Sequence, residues 1–183
     1  MLAGRESDHS RNHPPEPVAY SANPMALYLV RHAKAGARGY GPADRDRGLT
    51  TAGWDQAQSL ARWLGGAPVT RLLSSPYLRC RQTLEPLAEA TGLAVESVEW
   101  LSEGMMFDVV LDRLADVAEG AVLCSHGDVI PDVIGALIRR GTVTLGEPRW
   151  EKGSAWVLER EDSEWRRARP VGTDYDDFRQ TNQ

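Results

Sequence analysis

What this chain has little of narrows it first. Among its 183 residues are only two cysteines, Cys80 and Cys124, without C-x-x-C spacing. That excludes a disulfide scaffold or a thiolate metal site and leaves them as small core residues. No apolar run approaches the roughly 20 residues that cross a bilayer. The opening MLAGRESDHSRNHPPEP lacks the continuous apolar core of a secretory signal. The expectation is a soluble, cytoplasmic protein with no membrane partner. Cationic charge is also short: a net charge of -5 disfavours a nucleic acid polymer as partner. Histidines number four, and His9 and His13 fall in a polar lead-in. Neither histidine pairs nor carboxylate clusters occur at ligand spacing, so no metal and no cofactor are expected.

What is present suits one domain, since 42% hydrophobic residues suffice for a core. Residues 1–24 are polar and proline-bearing, read as a disordered N-terminal tail, with the domain proper spanning 25–169. Residues 170–183 are read as a loose C-terminal tail. A-L-Y-L-V (26–30), R-L-L-S-S (71–75) and A-V-L-C-S (121–125) are short apolar runs, as for strands buried on both faces, and L-A-V-E-S-V (93–98) is a weaker one. Helical stripes occupy about 52–64, 107–118 and 129–140, and another runs to Thr91 from a Ser75-Pro76 cap. Residues 154–160 and 163–169 resemble a hairpin at the sheet edge. Such alternation predicts a three-layer α/β/α domain with a mostly parallel sheet, in which ligands bind beyond the carboxyl ends of the strands.

That edge collects the chemistry. Arg31-His32 follows the first strand, Ser74-Ser75 ends the second, and Ser125-His126 ends a later one. The two histidines outside the lead-in thus share one position type. Arg79, a turn beyond Ser75, can reach back across the edge, or else form a surface ion pair with Glu85 or Asp55. Two arginines and two histidines suit a phosphoryl group, which needs positioning and charge stabilisation. A neutral histidine is a competent nucleophile, and neighbouring arginines hold its pKa down. The loop 33–48 carries Lys34, Arg38, Arg45 and Arg47 against Asp44 and Asp46. It reads either as a rim drawing anionic substrates towards His32 or as a solvated mixed-charge loop, with Arg47 the best candidate for a contact. The scattered tryptophans read as packing residues, with Trp100 near Glu103.

These residues resemble the histidine phosphatase (phosphoglycerate mutase-like) superfamily. The likeness runs through Arg31-His32-Ala33, R-G-L-T-T-A-G-W-D-Q-A (47–57), S-S-P-Y-L-R-C-R-Q-T (74–83), L-S-E (101–103) and S-H-G (125–127). It implies a metal-independent phosphatase with His32 as the phosphorylated nucleophile, and Arg31, Arg79 and His126 completing the phosphate pocket. Glu103 would be the proton donor; Glu99, Asp108 and Asp128 are the neighbouring carboxylates. Ala33 replaces the family's glycine, which fits if the backbone there avoids positive φ. Ala35 stands where mutases have Ser or Thr, and the chain has no room for their lid insertions. The pattern is similar to small SixA-type phosphohistidine phosphatases. E-P-L-A (85–88), V-I-P-D (129–132) and K-G-S-A-W-V-L (152–158) are also similar to the phosphatase domain fused to some Nudix hydrolases. The implied substrate is a phosphorylated small molecule or a phosphohistidine protein. Nucleotides or polyphosphates are the alternative, and a mutase or a non-catalytic phospho-binding module the weaker ones.

Overall fold

A computed structural model of the chain describes residues 26–39 and 41–175. The expected N-terminal tail and the proposed start at Met25 lie outside the described residues, as do residues 176–183. The strands are β1 (Ala26–Arg31), β2 (Arg71–Ser74), β3 (Val95–Ser97), β4 (Ala121–Ser125), β5 (Val143–Thr144), β6 (Ala155–Glu161) and β7 (Glu164–Val171). The helices are α1 (Thr51–Leu64), α2 (Leu78–Thr91), α3 (Phe107–Ala115) and α4 (Val129–Arg139), with single 3-10 turns at Gly41–Asp44 and Glu99–Leu101.

The seven strands form one sheet in the order β3-β2-β4-β1-β6-β7-β5. The β3-β2-β4-β1 half is parallel; β6 then runs antiparallel to β1 and β7 to β6. Alternating side chains of β1 enter two cores, as a strand covered on both faces must. Leu27 and Leu29 pack with α3 and α4, whereas Ala26, Tyr28 and Val30 pack with α1 and α2. The domain is the three-layer α/β/α fold with a mostly parallel sheet.

Three expectations change in detail. Helix α2 starts at Leu78 with Tyr77 as its cap residue, two residues later than the Ser75-Pro76 signal implied. The β6–β7 hairpin is not the sheet edge, because β5, too short to leave a periodic signal, pairs with β7 outside it. The chain beyond residue 169 is packed as far as described: β7 runs to a buried Val171, and Tyr175 stacks on Trp63 with ring centroids 4.9 Å apart.

Parallel pairing positions the site. Arg31 is in register with Ser125 on β4, and Ser74 with Cys124. The ladder continues one residue further on both sides, with the His32 amide donating to the Ser125 carbonyl at 3.0 Å and the Ser75 amide to Cys124 at 2.9 Å. Residues 32, 75 and 126 therefore leave three adjacent strands at one level.

Candidate active site

The rings of His32 and His126 lie 5.4 Å apart, centroid to centroid, and both are almost completely buried. Nδ1 of His32 lies 2.8 Å from the Ala33 carbonyl oxygen. A carbonyl only accepts, so this nitrogen carries the proton and the Nε2 lone pair is left without a protein partner among the described residues. Burial, and then the charges of Arg79, Arg31 and Lys152, hold the His32 pKa down to about 3 against the raising influence of the carbonyl. His126 is held the other way round. Arg79 Nη2 donates to its Nδ1 at 3.3 Å, leaving Nε2–H to donate to Ser75 Oγ at 2.8 Å. Burial and Arg79 bring its pKa to about 2.

Arg79 joins the cluster from beneath. It is fully buried, with Nη1 on the carbonyl and carboxylate of Asp44 (2.8 and 3.0 Å) and Nη2 on Glu103 Oε2 (2.9 Å) as well as His126. Its guanidinium also covers the Tyr77 ring at 4.5 Å. The surface ion pair with Glu85 or Asp55 is thus replaced by a buried one. Arg31, half-buried, donates to the Trp150 carbonyl and packs on Gly127. Burial lowers its pKa, opposed by Asp128 and Glu151. The Nε–H groups of Arg31 and Arg79 are both buried without a hydrogen-bond partner.

Above the histidines opens a cleft of about 340 Å³ lined by Arg31, His32, Arg38, Arg47, Glu103, His126, Asp128 and Lys152, among others. A family model described as the histidine phosphatase superfamily (branch 1) matches residues 27–110. The 8-oxo-(d)GTP phosphatase of Mycolicibacterium smegmatis is 34% identical over 156 residues, covering 81% of this chain and 47% of that protein. By these matches the chain is similar to members of the histidine phosphatase superfamily. Phosphohistidine phosphatase SixA of Escherichia coli (strain K12) is 38% identical over 81 residues, 43% of this chain and 48% of SixA. The chain spans about half the length of the curated relatives it matches. A solved protein histidine phosphatase SixA complexed with tungstate shares the fold, with a TM-score of 0.66 at 23% identity over 81% of this chain and 97% of that one.

Around this cleft the loop cations divide. Lys34 is exposed and does not line the cleft, whereas Arg38 and Arg47 do. Neither of these two is a loose cation: Arg38 pairs with Glu103 Oε1 at 3.0 Å, and Arg47 with Asp44 at 2.8 Å and the Gly36 carbonyl at 3.1 Å. Arg45 turns away to Glu99. Ala33 is fully buried and avoids positive φ, so the missing glycine costs nothing. Among the described residues no group of three His, Cys, Asp or Glu side chains gathers as a metal site.

Three participants escaped the sequence reading. Asp44 had counted only as a counter-charge, yet it bridges Arg79 and Arg47, and Arg47 before all else brings its pKa to about 2. Ser75 had been read as a helix cap, and its hydroxyl orients His126 instead. Lys152 had no role; the signal for it is that β6, antiparallel to β1, begins where β1 ends.

Proposed function

We propose that this protein is a histidine phosphatase that hydrolyses a phosphorylated small molecule or a phosphohistidine protein through a phosphohistidine on His32, without a metal. The observation that carries the reading is the His32 tautomer, with Nδ1–H on a carbonyl and a free Nε2 in a cation-lined cleft. Its lone pair forms the P–N bond while the bond from phosphorus to the leaving atom breaks, that atom keeping the electron pair. Arg31 and Arg79 hold the equatorial oxygens, with His126 fixed beside them by Arg79 and Ser75. The unpartnered Nε–H groups of Arg31 and Arg79 suit the charge that spreads over those oxygens. Glu103 gives the leaving atom its proton, then takes one from the water that cleaves the P–N bond and releases phosphate.

Turnover of an aryl phosphate, a phosphohistidine peptide and a nucleotide panel in chelator tests this, with acid-labile phosphoprotein as the second readout. Turnover and labelling should both vanish in His32→Ala; intact turnover in that variant overturns the proposal. A nucleotide or polyphosphate substrate is the second reading, favoured by the relative named for 8-oxo-(d)GTP, which aligns with 81% of the chain.

A further inference from the structure

Lys152 lines the same cleft as Glu103, and several hydrogen bonds hold its segment in place. The Gly153 amide donates to both the Arg31 and His32 carbonyls, at 3.2 Å each, and the Arg31 amide donates to Ser154 at 2.9 Å. The main chain that carries the nucleophile thus also carries the lysine loop. Gln56, on α1, donates to the Lys152 carbonyl at 3.0 Å and accepts from the Lys34 amide at 2.9 Å, locking two loops together. Tyr175 donates its hydroxyl to the Gly153 carbonyl from the core side. Gly153 itself has φ of 86°, a conformation that favours glycine.

Three other cations of the site are already paired. Arg38, Arg47 and Arg79 each hold a carboxylate. Among the described residues, no carboxylate lies within ion-pairing distance of Lys152. Its surroundings are instead Arg47, Arg31, Arg79 and Lys34, which with partial burial as the larger cause lower its pKa. A half-buried cation facing other cations, on a loop that cannot drift away, is costly unless an anion completes the group. The transferred phosphoryl already has Arg31 and Arg79 beside His32, so a further charge in the cleft matches a second anionic group.

We propose that Lys152 determines specificity by binding a second phosphate, one bridging oxygen from the phosphoryl attacked by His32, so that the preferred substrates are phosphoanhydrides such as nucleoside diphosphates. In that reaction the P–N bond to His32 forms as the bridging P–O bond breaks, and the departing phosphate keeps the electron pair. Such a leaving group departs as a stable anion and asks least of Glu103, whose two oxygens are occupied by Arg38 and Arg79. This inference rests on the phosphatase reading above.

Calorimetric titration of the whole chain with inorganic phosphate, pyrophosphate and phosphonoacetate tests it without turnover. Lys152→Met should weaken pyrophosphate about tenfold or more, the scale of one charge-assisted contact, and phosphate by less than about threefold. Lys152→Arg should stay within about threefold for both. In turnover, Lys152→Met should lower kcat/KM for a nucleoside diphosphate about tenfold more than for an aryl phosphate, the difference lying in KM. Equal weakening of phosphate and pyrophosphate, or of neither, overturns the proposal. So does a loss for phosphonoacetate equal to that for pyrophosphate, which would mark a general anion site. Failure of the unaltered protein to bind either inorganic anion overturns the phosphatase reading as well.

Discussion

A single methyl group at Gly127 tests how the Arg31 guanidinium is held. A Cβ there would lie 2.5 Å from Arg31 Cζ and 2.6 Å from both Nε and Nη2. Ordinary carbon contacts lie at about 3.5–4.0 Å, so the guanidinium must retreat by about 1 Å. The backbone is no obstacle, because Gly127 is not among the positive-φ glycines and alanine is allowed there. Retreat breaks the donation to Trp150 and moves the group that is to meet the phosphoryl. Misplacing a positioned group by that distance costs on the order of 10²-fold in rate. Deleting it, as in Arg31→Ala, costs about 10²–10³-fold. Both changes act through one group, so the double variant should be no slower than Arg31→Ala alone. The assay is kcat/KM on an aryl phosphate in chelator, with thermal unfolding recorded for each variant. Gly127→Ala turning over like the unaltered protein, or losses that multiply in the double variant, would refute the reasoning.

Four further perturbations test other parts. With the His32 pKa at about 3, kcat/KM corrected for substrate ionisation should show no acid limb at the usual histidine value near 6.5 and should fall only towards about pH 4; an enzyme-side limb near 6.5 contradicts this. Stability follows the same sign: both histidines are depressed in the fold, so the unfolded chain takes up protons first, and stability present above about pH 6.5 is lost as pH falls towards 3. His126→Asn should flatten the acid side of a stability–pH profile measured by denaturant unfolding. Asp44→Asn removes one carboxylate from the buried Arg79 and should destabilise by about 3 kcal/mol, the low end for breaking a buried pair because Glu103 remains; a change within about 0.5 kcal/mol would show that the pair is not needed. Tyr175→Ala should cost about 3–5 kcal/mol, near 10 °C in Tm, since the ring is buried on Trp63; an unaltered Tm would mean that the chain beyond β7 carries no stability.

The parallel half of the sheet was legible because its strands are covered on both faces and so read as unbroken apolar runs, 26–30 and 121–125 most plainly. From those runs alone, the rule that ligands lie beyond the carboxyl ends brought His32 and His126 together. What was not legible has local causes. A two-residue strand has no period, so β5 left no trace. Ser75 before a proline carries the composition of a helix cap, and its hydroxyl accepts from the Tyr77 amide at 3.4 Å, but its shorter contact is to a tertiary neighbour, His126, at 2.8 Å. Tyr175 stands in a polar stretch whose composition resembles a tail, and one aromatic ring finding Trp63 outweighs that. Lys152 was quoted within a motif yet given no task, because its place in the cleft depends on β6 running antiparallel to β1, a pairing that spacing does not reveal.

Which histidine attacks is a separate question from where the histidines are. Burial and arginine depress both rings, so both are neutral near pH 7 and basicity does not separate them. Their hydrogen bonds do. Each nitrogen of His126 is engaged, Nδ1 as acceptor from Arg79 and Nε2 as donor to Ser75, so its lone pair is already committed. His32 engages one nitrogen only, and as a donor, which leaves the opposite lone pair available. The proposal of His32 as nucleophile therefore rests on an acceptor, the Ala33 carbonyl, that belongs to the main chain and not to a side chain. It is exposed instead to changes at His126: His126→Asn removes the ring that accepts from Arg79 Nη2 and should slow phosphorylation of His32, yet acid-labile phosphate should still form, and on His32. Labelled phosphate that disappears with His126 and persists in His32→Ala would reverse the two roles.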